Sequence, residues 1–188
     1  MPGDERETAT RRARFEREML PHLDAAYNLA RWLLRDREDG ADAAQEACLR
    51  AFKYFDGFRG GSAKAWLLRI VRNTCYDWRK ANPRGESMNA GDGELSPEHE
   101  RALEAAGPAN PSPEAILIAR ADRTLVEESL AALPPEFREA LVLREIEALS
   151  YREISEIAAI PIGTVMSRLA RARSLLQRRL VAQLAEDK

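Results

Sequence analysis

The chain has 188 residues, with 29 Lys and Arg against 31 Asp and Glu, a net charge of −2, 45% apolar and 32% charged residues. That length allows one or two domains, and the composition is that of a globular protein rather than a wholly disordered one. No stretch approaches the ~18 consecutive apolar residues of a membrane span, so no stable membrane insertion is expected.

Met1 to Arg17 is polar and mixed in charge, without the apolar core of a secretory leader. Cys48, Cys75, His22 and His99 lie far apart in sequence, which excludes a disulfide framework and argues against a zinc-finger ligand set. Free, packed thiols in a reducing cytoplasm are the simplest reading. No Gly-rich phosphate loop, metal-ligand cluster or nucleophile–base pair stands out. The expectation is a protein that is not an enzyme and needs no cofactor or metal.

Taken in chain order, the apolar periodicity predicts helices over about 15–35, 39–56 and 63–81, with Gly57, Gly60 and Gly61 breaking the last two apart. From Glu86 to Glu114 there are seven acidic residues and one basic one, among three glycines and four prolines. This reads as an acidic linker with a short helical piece at Pro97–Ala106. Further helices are predicted over about 114–131, 135–147, 150–158 and 161–184. Leu133-Pro134-Pro135 stops and restarts the chain, and Ser150 with Glu153 forms a capping box. No run alternates like a strand. The fold class is all-α: a helical domain at 15–82, a linker at 83–114 and a second helical domain at 115–184.

Within the first domain, Asp42, Gln45, Glu46 and Leu49 fall on one side of a helix, almost opposite Ala44, Cys48, Ala51 and Phe55. An acidic stripe broken by one leucine suits a basic partner surface, or is simply a solvated face. On the next helix Leu67, Ile70, Val71, Thr74 and Trp78 share a face, and Trp66, Arg69, Asn73, Tyr76, Asp77 and Lys80 crowd the other. Interleaved rings, cations and an amide suit single-stranded nucleic acid, because rings stack on bases and cations hold phosphates. The alternative is that Trp66 and Tyr76 are rim-of-core residues.

The last helix buries Val165, Leu169, Ala172, Leu176 and Leu180 and carries no acidic residue from Ile162 to Val181. A short capped helix, a tight turn and a longer basic helix make the helix-turn-helix layout, in which a helix enters the major groove and Arg donates to guanine. An ordinary helical hairpin with a solvated basic face is the alternative. Arg178 and Arg179 near the helix end suit its dipole, whereas Arg168 and Arg171 sit too early for that.

Together these strings resemble the sigma-70 family of bacterial transcription initiation factors, in its extracytoplasmic-function (ECF) group. Asp39 to Phe52 is similar to region 2.2, Phe58 to Lys80 to regions 2.3 and 2.4, and Leu133 to Leu180 to region 4. Departures are Ala44 for a frequent Val or Leu, Ala47 for a common Thr, Met166 for a frequent Lys or Arg, and a long linker.

The resemblance implies a chain that binds core RNA polymerase and directs it to promoters. It places Asp42, Gln45, Glu46 and Leu49 on a coiled coil of the polymerase β′ subunit. It puts Phe58, Arg59, Trp66, Arg69, Asn73, Tyr76 and Lys80 at the −10 DNA, with Asp56–Ser62 as the loop around a flipped base. Thr164, Ser167, Arg168, Arg171 and Arg173 fall to the −35 duplex. It also implies an anti-sigma factor as a partner. A chain at −2 binds DNA weakly alone, since phosphate neutralisation supplies most nonspecific affinity. Free, the two domains are expected to pack together and partly cover Asn73 or Arg171.

Overall fold

The computed structural model describes residues 2–82 and 123–186, and the linker reading at 83–114 lies outside the described residues. Every regular element among the described residues is helical, as expected for an all-α chain. The helices are α1 (Pro2–Met19), α2 (Leu23–Leu34), α3 (Arg37–Lys53), α4 (Ala63–Ala81), α5 (residues 123–131), α6 (Pro135–Leu141), α7 (Tyr151–Ala158) and α8 (Ile162–Glu186).

The helix expected over 15–35 is two helices joined by a 3₁₀ turn at Leu20–His22. Pro21 has no N–H to donate to the preceding turn, so the α ladder cannot run through it. Contacts with this bundle also begin before the expected domain start at 15. Arg11 reaches back to the C-terminal end of α3, donating to the Phe52 carbonyl at 2.7 Å and to the Asp56 carboxylate at 2.8 Å. Phe15 packs edge-on against Phe52 and Phe55. A guanidinium on the last carbonyls of a helix is favoured by the helix dipole, but it leaves no apolar periodicity to read in the sequence.

α2 is buried over most of its surface and ends at Arg35, which adopts a left-handed conformation (φ 62). Asp36 then caps α3 by accepting from the Glu38 and Asp39 amides. Ser62 caps α4 through the Ala65 amide. α4 packs against α2 and α3 on one side and against α7 on the other, so it belongs to both bundles.

In the C-terminal bundle, Arg138 is buried and donates to the Ala131 carbonyl at 2.6 Å, closing the end of α5. Burial, with Arg35 and Arg79 nearby, lowers its pKa to about 10. The helix expected over 135–147 is α-helical only to Leu141; Val142–Ile146 widens into a π turn that lets the chain swing toward α7. Ser150 and Glu153 form the capping box in both directions. Ala159 in the left-handed region ends α7, and Pro161 precedes α8. α6 and α7 both pack on α8, giving the helix-turn-helix arrangement.

Gly40 sits where α3 crosses α2. A Cβ there would lie 2.9 Å from the Arg31 Cα and 3.1 Å from its N, both backbone atoms that cannot swing aside. Gly40→Ala is therefore expected to destabilise the protein by about 1–3 kcal/mol through overpacking, although Ala is the better helix former by about 1 kcal/mol. Urea unfolding measures this, and equal or greater stability of the variant would refute the close crossing.

Candidate polymerase and nucleic-acid interfaces

On α3, Ala43, Ala44, Ala47 and Ala51 are buried, and Cys48 is half-buried. The opposite side presents Asp42 and Gln45 to solvent and leaves Leu49 63% exposed. Glu46 is half-buried rather than open. It accepts from Arg50 at 2.9 Å, and Arg50 also reaches Asp77 of α4 at 3.1 Å. The hydrogen bonds that Arg50 donates to Glu46 and Asp77 raise its pKa. Tyr54, which sequence reasoning missed, is 60% exposed just beyond α3, with the Lys53 ammonium 5.5 Å from its ring. It lies past the helix end, where periodicity gives no signal.

α4 turns about 100° per residue, and its burial divides into three arcs. Leu67, Val71 and Thr74 are buried, with Ile70 and Trp78 half-buried, toward the N-terminal core. Arg69, Asn73, Asp77 and Lys80 form an exposed arc. Between these arcs run Lys64, Leu68, Arg72, Cys75, Tyr76 and Arg79, and this stripe meets the C-terminal bundle. The Lys64 ammonium lies 2.8 Å from a carboxylate oxygen of Glu147 and donates to the Glu147 carbonyl at 2.8 Å. The Glu139 carboxylate accepts from Arg72 Nε and, at 2.9 Å, from the Tyr76 hydroxyl. Burial first, then Glu139, pushes the Tyr76 phenol and the Cys75 thiol each up to about 12. Tyr76 is accordingly a neutral donor at physiological pH, and Cys75 an unreactive thiol.

The expected site residues at the front of this domain are not all available. Phe58 is buried (5% exposed), stacked 6.0 Å from Phe55 and packed 5.4 Å from the half-buried Trp66. Arg59 is exposed and precedes Gly60 and Gly61, whose φ values of 94 and 91 only glycine adopts freely. The two bundles are in contact through α4 and α7, but Asn73 and Arg171, one of which was expected to be partly covered, are both exposed. The covered residues are Arg72 and Tyr76, because one step along α4 from Arg72 carries Asn73 off the stripe that meets the C-terminal bundle.

On α8, Val165, Leu169 and Ala172 are buried. Ser167 and Arg171 are exposed, Thr164 and Arg168 half-buried. The Ser167 hydroxyl donates to the Thr164 carbonyl at 3.0 Å, within its own helix. Arg173 is exposed but already paired with Glu145 at 2.7 Å, which raises its pKa. Arg171 and Arg178 line a shallow groove with Phe137, Ala170, Ser174 and Leu175. Among the described residues no helix is long and apolar enough to cross a membrane, and no cluster of His, Cys, Asp and Glu could hold a metal ion.

Residues 19–84 match Sigma-70 region 2, and residues 123–176 match Sigma-70, region 4. The chain is 35% identical to the RNA polymerase sigma-H factor of Pseudomonas aeruginosa over 157 residues, 81% of this chain and 79% of that one. It is 34% identical to the ECF RNA polymerase sigma-E factor of Escherichia coli over 146 residues, 76% of this chain and 74% of that one. Its structure is similar to that of the sigma factor RpoE of Bartonella quintana, solved in complex with the anti-sigma factor NepR, with a TM-score of 0.66 and 26% identity, covering 88% of this chain and 96% of that one. A region 2 bundle followed by a region 4 helix-turn-helix, matched in that order and shared with these relatives, thus makes this chain a member of the sigma-70 family in its ECF group, a transcription initiation factor that directs RNA polymerase to promoters.

Proposed function

We propose that the two bundles divide promoter recognition between them, and that neither performs catalysis. A region 2 unit at 15–82, extended back to Arg11, binds polymerase and the −10 strand. A linker at 83–114 joins it to a region 4 unit at 115–184, which reads the −35 duplex. The observation that carries this division is the separation of two exposed polar faces, Arg69–Asn73–Lys80 on α4 and Ser167–Arg171 on α8, onto different bundles. The setting is the cytoplasm, where core polymerase and promoter DNA meet.

The α3 stripe supports a contact with the β′ coiled coil, with Asp42 and Gln45 as the charged and polar groups and Leu49 as the apolar one. Glu46 contributes through its pair with Arg50, which also ties α3 to α4. At the −10 element, Arg69 and Lys80 are placed to hold phosphates and Asn73 a base edge. Trp66 and Phe58 support the loop bearing Arg59 from below. Along α8, Arg171 is the leading base reader, with Ser167, Thr164 and Arg168 near it; Arg173 acts first as the partner of Glu145.

Tyr76 reaches DNA only after Glu139 releases it, so the packed arrangement and the promoter-bound one exclude each other at this residue. A partner that binds one arrangement more tightly shifts the balance between them. An anti-sigma factor is a partner of this kind, in line with the complex formed by the Bartonella relative. On polymerase, tethering makes the two modest DNA contacts cooperative.

Asp42→Lys and Leu49→Ala should leave the fold intact and weaken binding to core polymerase. Like charges brought together cost several kcal/mol, so the charge reversal should lose at least about tenfold in affinity. A fluorescence titration against core polymerase measures this, and unchanged affinity in both variants removes the α3 assignment.

The two DNA faces are separable. Arg171→Ala should cost about 1–3 kcal/mol on the −35 duplex and spare capture of a pre-melted −10 strand, while Asn73→Ala should do the reverse. Loss of the same step in both variants would contradict the division.

Glu139→Ala should favour separated bundles, because it removes the shared acceptor of Arg72 and Tyr76. Small-angle scattering of the free protein should then give a larger radius of gyration than the wild type. An unchanged radius, also in the Lys64→Ala/Glu139→Ala double variant, rules out these contacts as the closure.

A further inference from the structure

The loop from Asp56 to Ser62 contains little that fixes its own shape. Arg59, Gly60 and Gly61 are exposed, and both glycines have positive φ. Glycine moves readily between such conformations, so the order of this loop has to come from its ends. At the far end Ser62 caps α4 through the Ala65 amide. At the near end the anchors belong to α1, upstream of the region 2 match.

Arg11, Arg14 and Phe15 are spaced by three and one residues, which places them on one side of α1. The Arg11 guanidinium lies 4.8 Å from the Phe52 ring centroid and is forked. Its Nε donates to the Asp56 carboxylate at 2.8 Å, and its Nη2 donates to the carbonyls of Phe52 at 2.7 Å and Lys53 at 3.2 Å. The Arg14 guanidinium lies 5.2 Å from the Phe55 ring centroid and donates to the Phe58 carbonyl at 3.4 Å. Phe15 closes on Phe52 and Phe55 beneath them. One helix face thus holds the end of α3 and the start of the loop together. Because the Asp56 side chain is 77% exposed, its ion pair adds little stability. What the pair does fix is direction, since a planar guanidinium sets where each of its acceptors lies.

We propose that Arg11 and Arg14 are positioning residues for the −10 strand: they hold the near end of the loop so that Arg59 and the glycines meet a captured base in one preset place. This rests on the reading of the loop as the site that holds a flipped base. A loop already in its bound shape loses less freedom on binding, and so binds more tightly. Arg11 and Arg14 act through Asp56 and the Phe58 carbonyl and need not touch DNA.

The test uses the full chain assembled with core polymerase. A promoter is selected from a random library. Its −10 non-template strand is then made as single-stranded oligonucleotides, intact and with each base in turn replaced by an abasic site. Gly60→Val/Gly61→Val strains the loop itself and identifies the captured base, as the position where wild type loses about tenfold on base removal and this variant does not. At that position Arg11→Ala should shrink the ratio to about twofold, and Arg14→Ala should shrink it less, its bond being longer. Asp56→Ala cuts the same tie at an exposed residue and should match Arg11→Ala even if that variant folds poorly. The Arg11→Ala/Asp56→Ala double variant should lose no more than either single one. Arg12→Ala removes an equal charge from a residue that pairs with Glu16 of its own helix, and should keep the ratio.

An Arg11→Ala protein that weakens intact and abasic strands alike has lost a phosphate contact, and the brace is then refuted. It is refuted too if Arg12→Ala shrinks the ratio equally, or if the Arg11 and Asp56 losses add. In each of these cases the response of the glycine variant leaves the loop reading standing. If no position responds to the glycine variant, the loop reading and the brace fall together.

Discussion

A carboxylate leaves water only if something else replaces its hydration, and Glu139 is 1% exposed. Its replacement comes entirely from the other bundle, as the Arg72 guanidinium and the Tyr76 hydroxyl. Glu147, 3% exposed, repeats the arrangement with Lys64. Removing one partner from a buried pair of this kind costs about 3–5 kcal/mol, whereas the intact pair contributes little net stability. The two contacts therefore act less as glue than as a constraint on register: the packing that pairs Glu139 with both Arg72 and Tyr76 also brings Lys64 to one oxygen of Glu147, whose other oxygen is left buried without a partner. On the proposed opening, separation would return all five groups to water together.

That constraint explains the division of α4. A helix in one small bundle normally buries a single stripe. α4 buries two, one apolar toward α2 and α3 and one mixed toward α7, and leaves a narrow arc of Arg69, Asn73, Asp77 and Lys80 in solvent. Mixed character is what a surface needs if it must be tolerable both covered and exposed. Leu68 and Cys75 supply apolar area in the packed state, and Lys64, Arg72 and Tyr76 are the groups that would meet water in the proposed open one. The Arg50 link from Glu46 to Asp77 connects the outward faces of α3 and α4, so the proposed polymerase contact and the proposed −10 face share one bridging side chain.

α8 solves a different problem. It has one committed core face and no acid from Ile162 to Val181, so the exposed residues of that stretch are free to be chosen for what they touch. Arg173 departs from this, because Glu145 neutralises it. Met166 and Ile162 depart in the other direction, being apolar where nothing of the chain itself covers them.

The amino-acid sequence by itself determined the helical class, the helix-turn-helix, the capping box at Ser150 and Glu153, and the inward and outward sides of α3. Each is a local matter, in which a 3.6-residue period or a side chain capping its own backbone leaves a mark within a few positions. The same reading of α4 separated Leu67, Val71 and Thr74 from Arg69, Asn73 and Lys80 correctly, yet it set Tyr76 with the outward group, and the family resemblance set Phe58, before α4, at the DNA. Those two were decided by tertiary structure. Phe58 is covered by Phe55 and Trp66, and Tyr76 by a glutamate 63 residues away in sequence. The docking of Arg11 on the end of α3 and the close crossing at Gly40 are of the same kind. A polar side chain that finds its partner across the fold carries no periodic signature, so only the packed molecule reveals which charges are spent inside it and which remain for polymerase and DNA.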